Sequence, residues 1–328
     1  MTSQEESPEP RPVNVVRALM QRFGATASPE SRAAFPFPLT RKMVQALLAL
    51  GVVTVNGIVI VDAEGAMVCD RDRLAIDDSA PDKLIASCRV WRYNKPVGVA
   101  CALQAEANEA SLGRVIRKEL GVGVHPVGKV ERDGCGLLLL TSSSALCERL
   151  TQPDIGFDRV FVVTVNHPAP LPPRLLQLMR NGVTWRQGSS DETGHGRGPA
   201  PCTIEELGDA CEPHLKAHRA ETGCSSSCAF QLTLKGGDRH GSAAQGAIER
   251  QIRYMVESAG GIVDAECRAR GQPRLPAALR VVRLERVRVG PVGLSTVADG
   301  GRLKAGQFAE LPVADVKRLM FAAFRRQP

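Results

Sequence analysis

The stretch from His125 to Thr141, His-Pro-Val-Gly-Lys-Val-Glu-Arg-Asp-Gly-Cys-Gly-Leu-Leu-Leu-Leu-Thr, constrains the fold more than any other part of the chain. It opens as a turn and crosses a run of charges at Lys129, Glu131, Arg132 and Asp133. It then becomes an unbroken apolar run, Leu137 to Leu140, bounded by Gly136 and Thr141. Such a run reads as a buried strand. A carboxylate-bearing loop that runs straight into a core strand fixes its acid groups against a rigid sheet, as catalytic groups are usually fixed. A charged hairpin beside a core strand would have the same pattern, and spacing alone leaves both readings open.

A chain of 328 residues with 43% hydrophobic and 23% charged residues is globular and, by its length, divides into about two domains. The 42 Lys and Arg against 35 Asp and Glu give a net charge of +7, which fits a polyanionic partner such as RNA. Ten cysteines without a framework spacing point to a reducing compartment rather than a disulfide scaffold. No apolar run approaches the roughly 18 residues of a membrane span. Residues 1–11 are acidic and proline-bearing; they read as a disordered tail, neither a signal peptide nor an Arg-rich transit peptide. The expected location is therefore inside the cell, in the cytoplasm or an organelle such as the mitochondrion, without membrane attachment.

In chain order, residues 12–80 form a first small domain. Val15, Val16, Leu19, Met20 and Phe23 recur at helical spacing, with Gly24 as a stop. A loop from Ala25 to Pro38 follows. Thr40 then caps a second helix carrying Arg41 and Lys42, which ends near Gly51. Two apolar runs around Asn56-Gly57 give a hairpin, the strongest short signal of its kind. Residues 81–89 read as a linker.

The second domain spans 90–328. It opens on the strand Val-Trp-Arg-Tyr before Asn94, Lys95 and Pro96, followed by a Ser-capped helix from Ser111 to Leu120. Arg159 to Val165 is a β-branched strand. Leu171 to Met179 is a helix, and Cys202–Leu207 and Ala229–Leu234 are paired strands across a long polar loop. His214, His218, Cys224 and Cys228 lie there with three, five and three residues between them. Such residues could complete a tetrahedral zinc site. They match no standard finger and no hydrophobic finger core accompanies them, so an insertion loop is the preferred reading, with neither metal nor cofactor expected. Leu279 to Leu294 alternates apolar residues with Arg283, Arg286 and Arg288 and reads as an edge strand with one basic face.

Several of these segments together resemble the RsuA-type ribosomal RNA pseudouridine synthases. The family pattern His-Pro-Val-Gly-Arg-Leu-Asp, three variable residues, Gly-Leu-Leu-Leu-Leu-Thr is matched at His125 to Gly128 and at Gly136 to Thr141. The Asn-Lys-Pro-x-Gly turn is matched by Asn94, Lys95, Pro96 and Gly98. The Arg-Gln-Ile-Arg-x-Met helix is matched by Arg250, Gln251, Ile252, Arg253 and Met255, and Leu-x-Arg-x-x-Ile-Gly-Pro by Leu284, Arg286, Val289, Gly290 and Pro291. The first domain resembles the alpha-L RNA-binding motif. The resemblance implies an α+β fold: a small alpha-L RNA-binding domain, then a catalytic-type domain with a mixed, largely antiparallel sheet and flanking helices, carrying insertions near 25–39, 186–228 and 235–279.

The same resemblance assigns roles. The family's catalytic aspartate falls on Glu131, its base-stacking tyrosine on Phe161, and the arginine that pairs with the aspartate on Arg253. Arg41, Lys42, Lys95, Lys129, Arg132, Arg159 and Arg250 become the RNA-binding residues. Glutamate carries one more methylene than aspartate, and a displacement of about 1 Å can cost on the order of 100-fold in rate. Phe161 keeps a stacking face but has no hydroxyl, and it reads equally well as a core aromatic. The expectation is a catalytically impaired homologue, monomeric, that binds structured RNA, namely ribosomal RNA or a pre-ribosomal particle, as an assembly factor. The alternative is an active synthase using Glu131 as its carboxylate.

Overall fold

The computed structural model describes residues 12–24, 35, 37–103, 110–152, 155–168, 170–186, 195–197, 202–207, 227–234, 247–275, 277–296 and 301–324. They fall into two units. The first comprises residues up to Arg89 together with Ser142–Arg149 and the segment from Leu311 onward; the second comprises Val90–Thr141 and Leu150–Glu310.

In the first unit, β1 (Val13–Asn14) leads into α1 (Val15–Phe23), where the Asn14 side chain accepts from the Val16 N–H at 2.9 Å. Gly24 ends this helix: a Cβ there would run into the Met20 carbonyl. α2 (Arg41–Ala49) is capped by Thr40, which accepts from the Met43 N–H at 3.3 Å. β2 (Val53–Val55) and β3 (Ile58–Val59) pair as a hairpin, with Asn56 at φ 54° and Gly57 at φ 84°, the left-handed pair that a two-residue I′ turn requires. β4 (Met67–Val68) pairs with β1, and β5 (Leu74–Ile76) with β2.

Two assignments change here. Residues expected to be linker form α3 (Ala80–Ser87), with Pro81 in its first turn and Leu84 and Ile85 buried. The final helix, Val313–Phe324, belongs to this unit rather than to the second domain. Its buried face, Val316, Leu319, Met320, Ala323 and Phe324, has helical spacing, and Phe324 lies 5.5 Å from the Phe37 ring.

The second unit is built on one sheet. Its strands in chain order are β6 (Val90–Lys95), β7 (His125–Val127), β8 (Cys135–Thr141), β9 (Arg159–Val165), the separate pair β10 (Thr184–Arg186) and β11 (His195–Arg197), β12 (Cys202–Glu206), β13 (Cys228–Leu234), β14 (Val281–Val289) and β15 (Val292–Gly293). After the small pair β16 (Ser295–Thr296) and β17 (Gly301–Arg302) comes β18 (Phe308–Glu310). The path through the sheet runs β12-β13-β9-β14-β8-β6-β18, with β7 on β8 and β15 on β14. All its pairings are antiparallel except β14 with β8, which sets Glu285 beside Cys135 and Arg286 beside Gly136. The fold is therefore α+β with a mixed, largely antiparallel sheet.

β14 is thus a central strand, not an edge, with Glu285 and Arg286 buried in it. Among the described residues the helices of this unit are α4 (Leu112–Glu119), α6 (Pro173–Asn181) and α7 (Ala247–Ala269), while α5 (Ser144–Thr151) falls in the first unit up to Arg149. Phe161, Val163 and Val165 of β9 and Phe230 and Leu232 of β13 pack with Leu175 and Met179 of α6 and Ile252, Met255 and Val256 of α7. Each such side chain, fully buried, contributes roughly 1.5–3 kcal/mol. This packing fixes the first turns of α7, which the site uses. α8 is the final helix, Val313–Phe324, of the first unit. Among the described residues no helix is long and apolar enough to cross a membrane.

Candidate active site

The loop between β7 and β8 enters at Gly128, where φ is 76°, and closes a turn in which the Gly134 N–H donates to the Glu131 carbonyl at 3.1 Å. Its backbone is held from several sides. The Gly98 N–H donates to the Arg132 carbonyl at 2.7 Å, and Arg132 Nε returns a bond to the Gly98 carbonyl at 3.2 Å. The Val130 N–H donates to Cys101 Sγ at 3.4 Å. The Glu131 N–H donates to Glu249 Oε2 at 2.5 Å. A bond from an amide to a carboxylate is stronger than a neutral one, worth about 1.5–3 kcal/mol.

Glu249 and Arg286 form the buried charge centre beneath this loop, at 3% and 7% exposure. Arg286 Nε donates to the Leu137 carbonyl at 2.8 Å and Nη1 to the Lys129 carbonyl at 3.3 Å, so one side chain ties β14 to both ends of the loop. Burial raises the Glu249 carboxyl above its ordinary range, opposed chiefly by Arg286. Burial lowers Arg286 to about 10, opposed by Glu249. Burial also raises Glu131, with Glu249 and Asp133 adding to the rise and Arg250 and Arg253 opposing it.

The expected catalytic residues are placed as follows. The Glu131 carboxylate turns to Arg250, with Nε 3.1 Å from Oε1. Arg253, the residue matched to the family's pairing arginine, instead holds Asp133 at 2.7 Å and donates to the Val281 carbonyl at 3.2 Å. Phe161 is 1% exposed and belongs to the core under α6 and α7. It borders a cavity of about 40 Å³ that Lys129, Arg159, Glu249 and Arg286 also line. That volume holds a few waters rather than a pyrimidine ring. Neither Glu131 nor Arg253 is among the residues that line it.

Of the residues expected to meet RNA, Lys129, Arg132 and Arg250 are exposed around the loop, and Arg159 is half-buried at the start of β9. Arg41 and Lys42 are exposed at the N-terminal end of α2, with Lys42 Nζ 3.1 Å from Glu148. Lys95 requires a correction. It is 0% exposed, and its Nζ donates to the Pro96 and Val99 carbonyls, both at 2.9 Å, so it braces the turn after β6 instead of meeting a phosphate. Cys228 is buried in β13; His214, His218 and Cys224 lie outside the described residues. Sequence reasoning missed Glu249 and passed over Arg286 as one of a basic stripe. The available signal was a Glu-Arg pair at 285–286 interrupting the apolar alternation of a strand.

Residues 89–240 match the family described as RNA pseudouridylate synthase. The chain is 29% identical to ribosomal large subunit pseudouridine synthase B of Pseudomonas aeruginosa over 155 residues, covering 45% of this chain and 38% of that protein. It is 23% identical to the synthase B of Xylella fastidiosa over 285 residues, covering 85% of this chain and 48% of that protein. The chain spans less than half the length of either relative. A solved structure of a pseudouridylate synthase covers 93% of this chain, and this chain 98% of it, at 17% identity and a TM-score of 0.45. The loop bearing Glu131, the strands that frame it and the family match occupy the same stretch of sequence. Over residues 89–240 the chain is thus similar to the RNA pseudouridylate synthase family, and to the ribosomal large subunit pseudouridine synthases B of these bacteria.

Proposed function

We propose that this chain binds structured RNA, namely ribosomal RNA or a pre-ribosomal particle, as a binding or assembly factor inside the cell, and that it is impaired as an isomerase. The observation that carries this reading is the pocket chemistry. The family's carboxylate position, Glu131, is drawn off to Arg250, while the small cavity beside Phe161 is headed by Glu249 and Arg286. A nucleophile or base must come within about 3 Å of the reacting atom, and Glu131, turned to Arg250, does not line that cavity.

Exposed Lys129, Arg132 and Arg250 around the loop supply the phosphate contacts. The first unit acts as an alpha-L RNA-binding module. Arg41 and Lys42 sit at the N-terminal end of α2, where the helix dipole disfavours cations, so their placement there serves an external anion better than it serves the helix.

Two measurements test this. Pseudouridine mapping of RNA from cells carrying Glu131→Gln should match the wild-type map. The lost Glu131–Arg250 pair is exposed on the arginine side and costs at most about 1 kcal/mol, so the protein remains folded. Loss of pseudouridine at one site, with the protein still folded and RNA-bound, would establish an active synthase that uses Glu131. Separately, binding should weaken with salt, and replacing Lys129 and Arg132 together by Ala should lower the slope of log affinity against log salt by about 2. An unchanged slope removes the loop from the interface.

A further inference from the structure

The second half of α7 frames a cleft that the Glu131 site does not use. By helical rise, Gly261 lies about 12 Å along the axis from Arg253. Here Glu257, Gly260, Gly261 and Asp264 face Arg274, Leu275 and residues 277–280 across an open cavity of about 740 Å³. That size is in the range of ligand pockets.

The floor is unusual for a helix. Gly260 has a packing reason, since a Cβ there would lie 2.7 Å from Leu279 Cβ. Gly261 has none: it is exposed, and no other atom lies within 4 Å of the place a Cβ would take. Among ordinary residues only proline is worse than glycine in a helix interior. The opposite wall is fixed, because Asn166 clamps it by donating to the Ala278 carbonyl at 2.9 Å and accepting from the Arg280 N–H at 2.6 Å. Asp264 is consumed by a two-pronged bond from Arg274 at 2.8 and 2.6 Å. Glu257 and Arg280, by contrast, form no ion pair among the described residues, and both line the cleft.

We infer that this cleft binds a guanine nucleotide unit of a single-stranded RNA segment. The bare glycine backbone and the walls of Leu275, Ala278 and Leu279 accept a planar ring. A carboxylate has two acceptor oxygens, and of the four RNA bases guanine alone offers two adjacent N–H donors on its pairing edge, so Glu257 reads that edge bidentately. Arg280 takes the phosphate. The inference rests on the RNA-binding reading only for the source of the nucleotide.

The test is calorimetric titration of the full chain with 5′-GMP, and with AMP, CMP and UMP in parallel. GMP should bind about tenfold or more tighter than the others, as one bidentate pair provides. Glu257→Gln should weaken GMP by a similar factor, and Arg280→Ala should weaken all four nucleotides. Gly261→Leu should abolish GMP binding while the thermal midpoint stays level or rises, because leucine favours the helix and its Cβ enters open space there. Absence of GMP binding to the wild-type chain, equal binding of the four nucleotides, or GMP affinity unaffected by Gly261→Leu overturns the proposal. The Gly261→Leu chain should keep the salt-dependent RNA binding of the Lys129–Arg132 loop. If that loop proves inert while GMP binds, the RNA reading of the loop fails and the guanine site stands.

Discussion

Arg286→Met should destabilise the protein by about 3–5 kcal/mol, because it leaves the Glu249 carboxylate buried without its main counter-charge. Methionine approximates the arginine stem in volume, so the loss is electrostatic more than steric. The carbonyls of Leu137 and Lys129 also lose a donor. Denaturant unfolding at several pH values checks this and its cause. Glu249 has a raised folded pKa, so the folded state binds its proton more tightly than the unfolded chain does. Its protonated form therefore adds stability at low pH, and that stability is lost as pH rises through the folded value. In the variant that value rises further, so the gap from wild type should narrow as pH falls from mildly alkaline to mildly acidic. A gap equal at every pH would mean that the carbonyl bonds alone carry the cost. Adding Glu249→Gln to Arg286→Met should recover part of the loss, since both charges are then gone.

Gly136→Ala should cost about 3 kcal/mol or more. Gly136 sits at φ 98°, and an added Cβ would lie 2.9 Å from the Arg286 backbone nitrogen and closer still to its carbonyl oxygen. No rotamer change relieves a collision with backbone. It falls where β8 and β14 make the sheet's parallel pairing, so the strands must separate and the Glu131 loop must move with them. Gly128→Ala is the control. It has φ 76° with nothing within 4 Å, and it should lose only the left-handed penalty of about 1–2 kcal/mol. Equal thermal shifts for the two variants would show that the close strand approach does not govern this position.

The local code determined what local code can. Leu137–Leu140 and Arg159–Val165 form the strands that their apolar and β-branched runs predict, Asn56-Gly57 turns the hairpin, and Thr40 and Ser111 cap the helices that they precede. Each of these depends on residues within a few positions of one another. The motif at His125–Thr141 likewise marked the loop whose backbone is held by Glu249 and Arg286.

Tertiary structure decided which charges meet. Alternating apolar and basic residues predict the same pattern for an edge strand as for a central strand whose charges are satisfied from other elements, and Arg286 is the second case because the carbonyls of Leu137 and Lys129 accept from it and Glu249, 37 positions earlier, lines the same cavity. Arg250 and Arg253 both project from the first turns of α7, and the turn at 131–134 gives Glu131 to one and Asp133 to the other. Phe161 and Lys95 carry no sequence mark that separates a buried from a presented side chain. Periodicity tells which face of an element a residue occupies, whereas what covers that face, and so which charge is desolvated, depends on strands and helices far away in the chain.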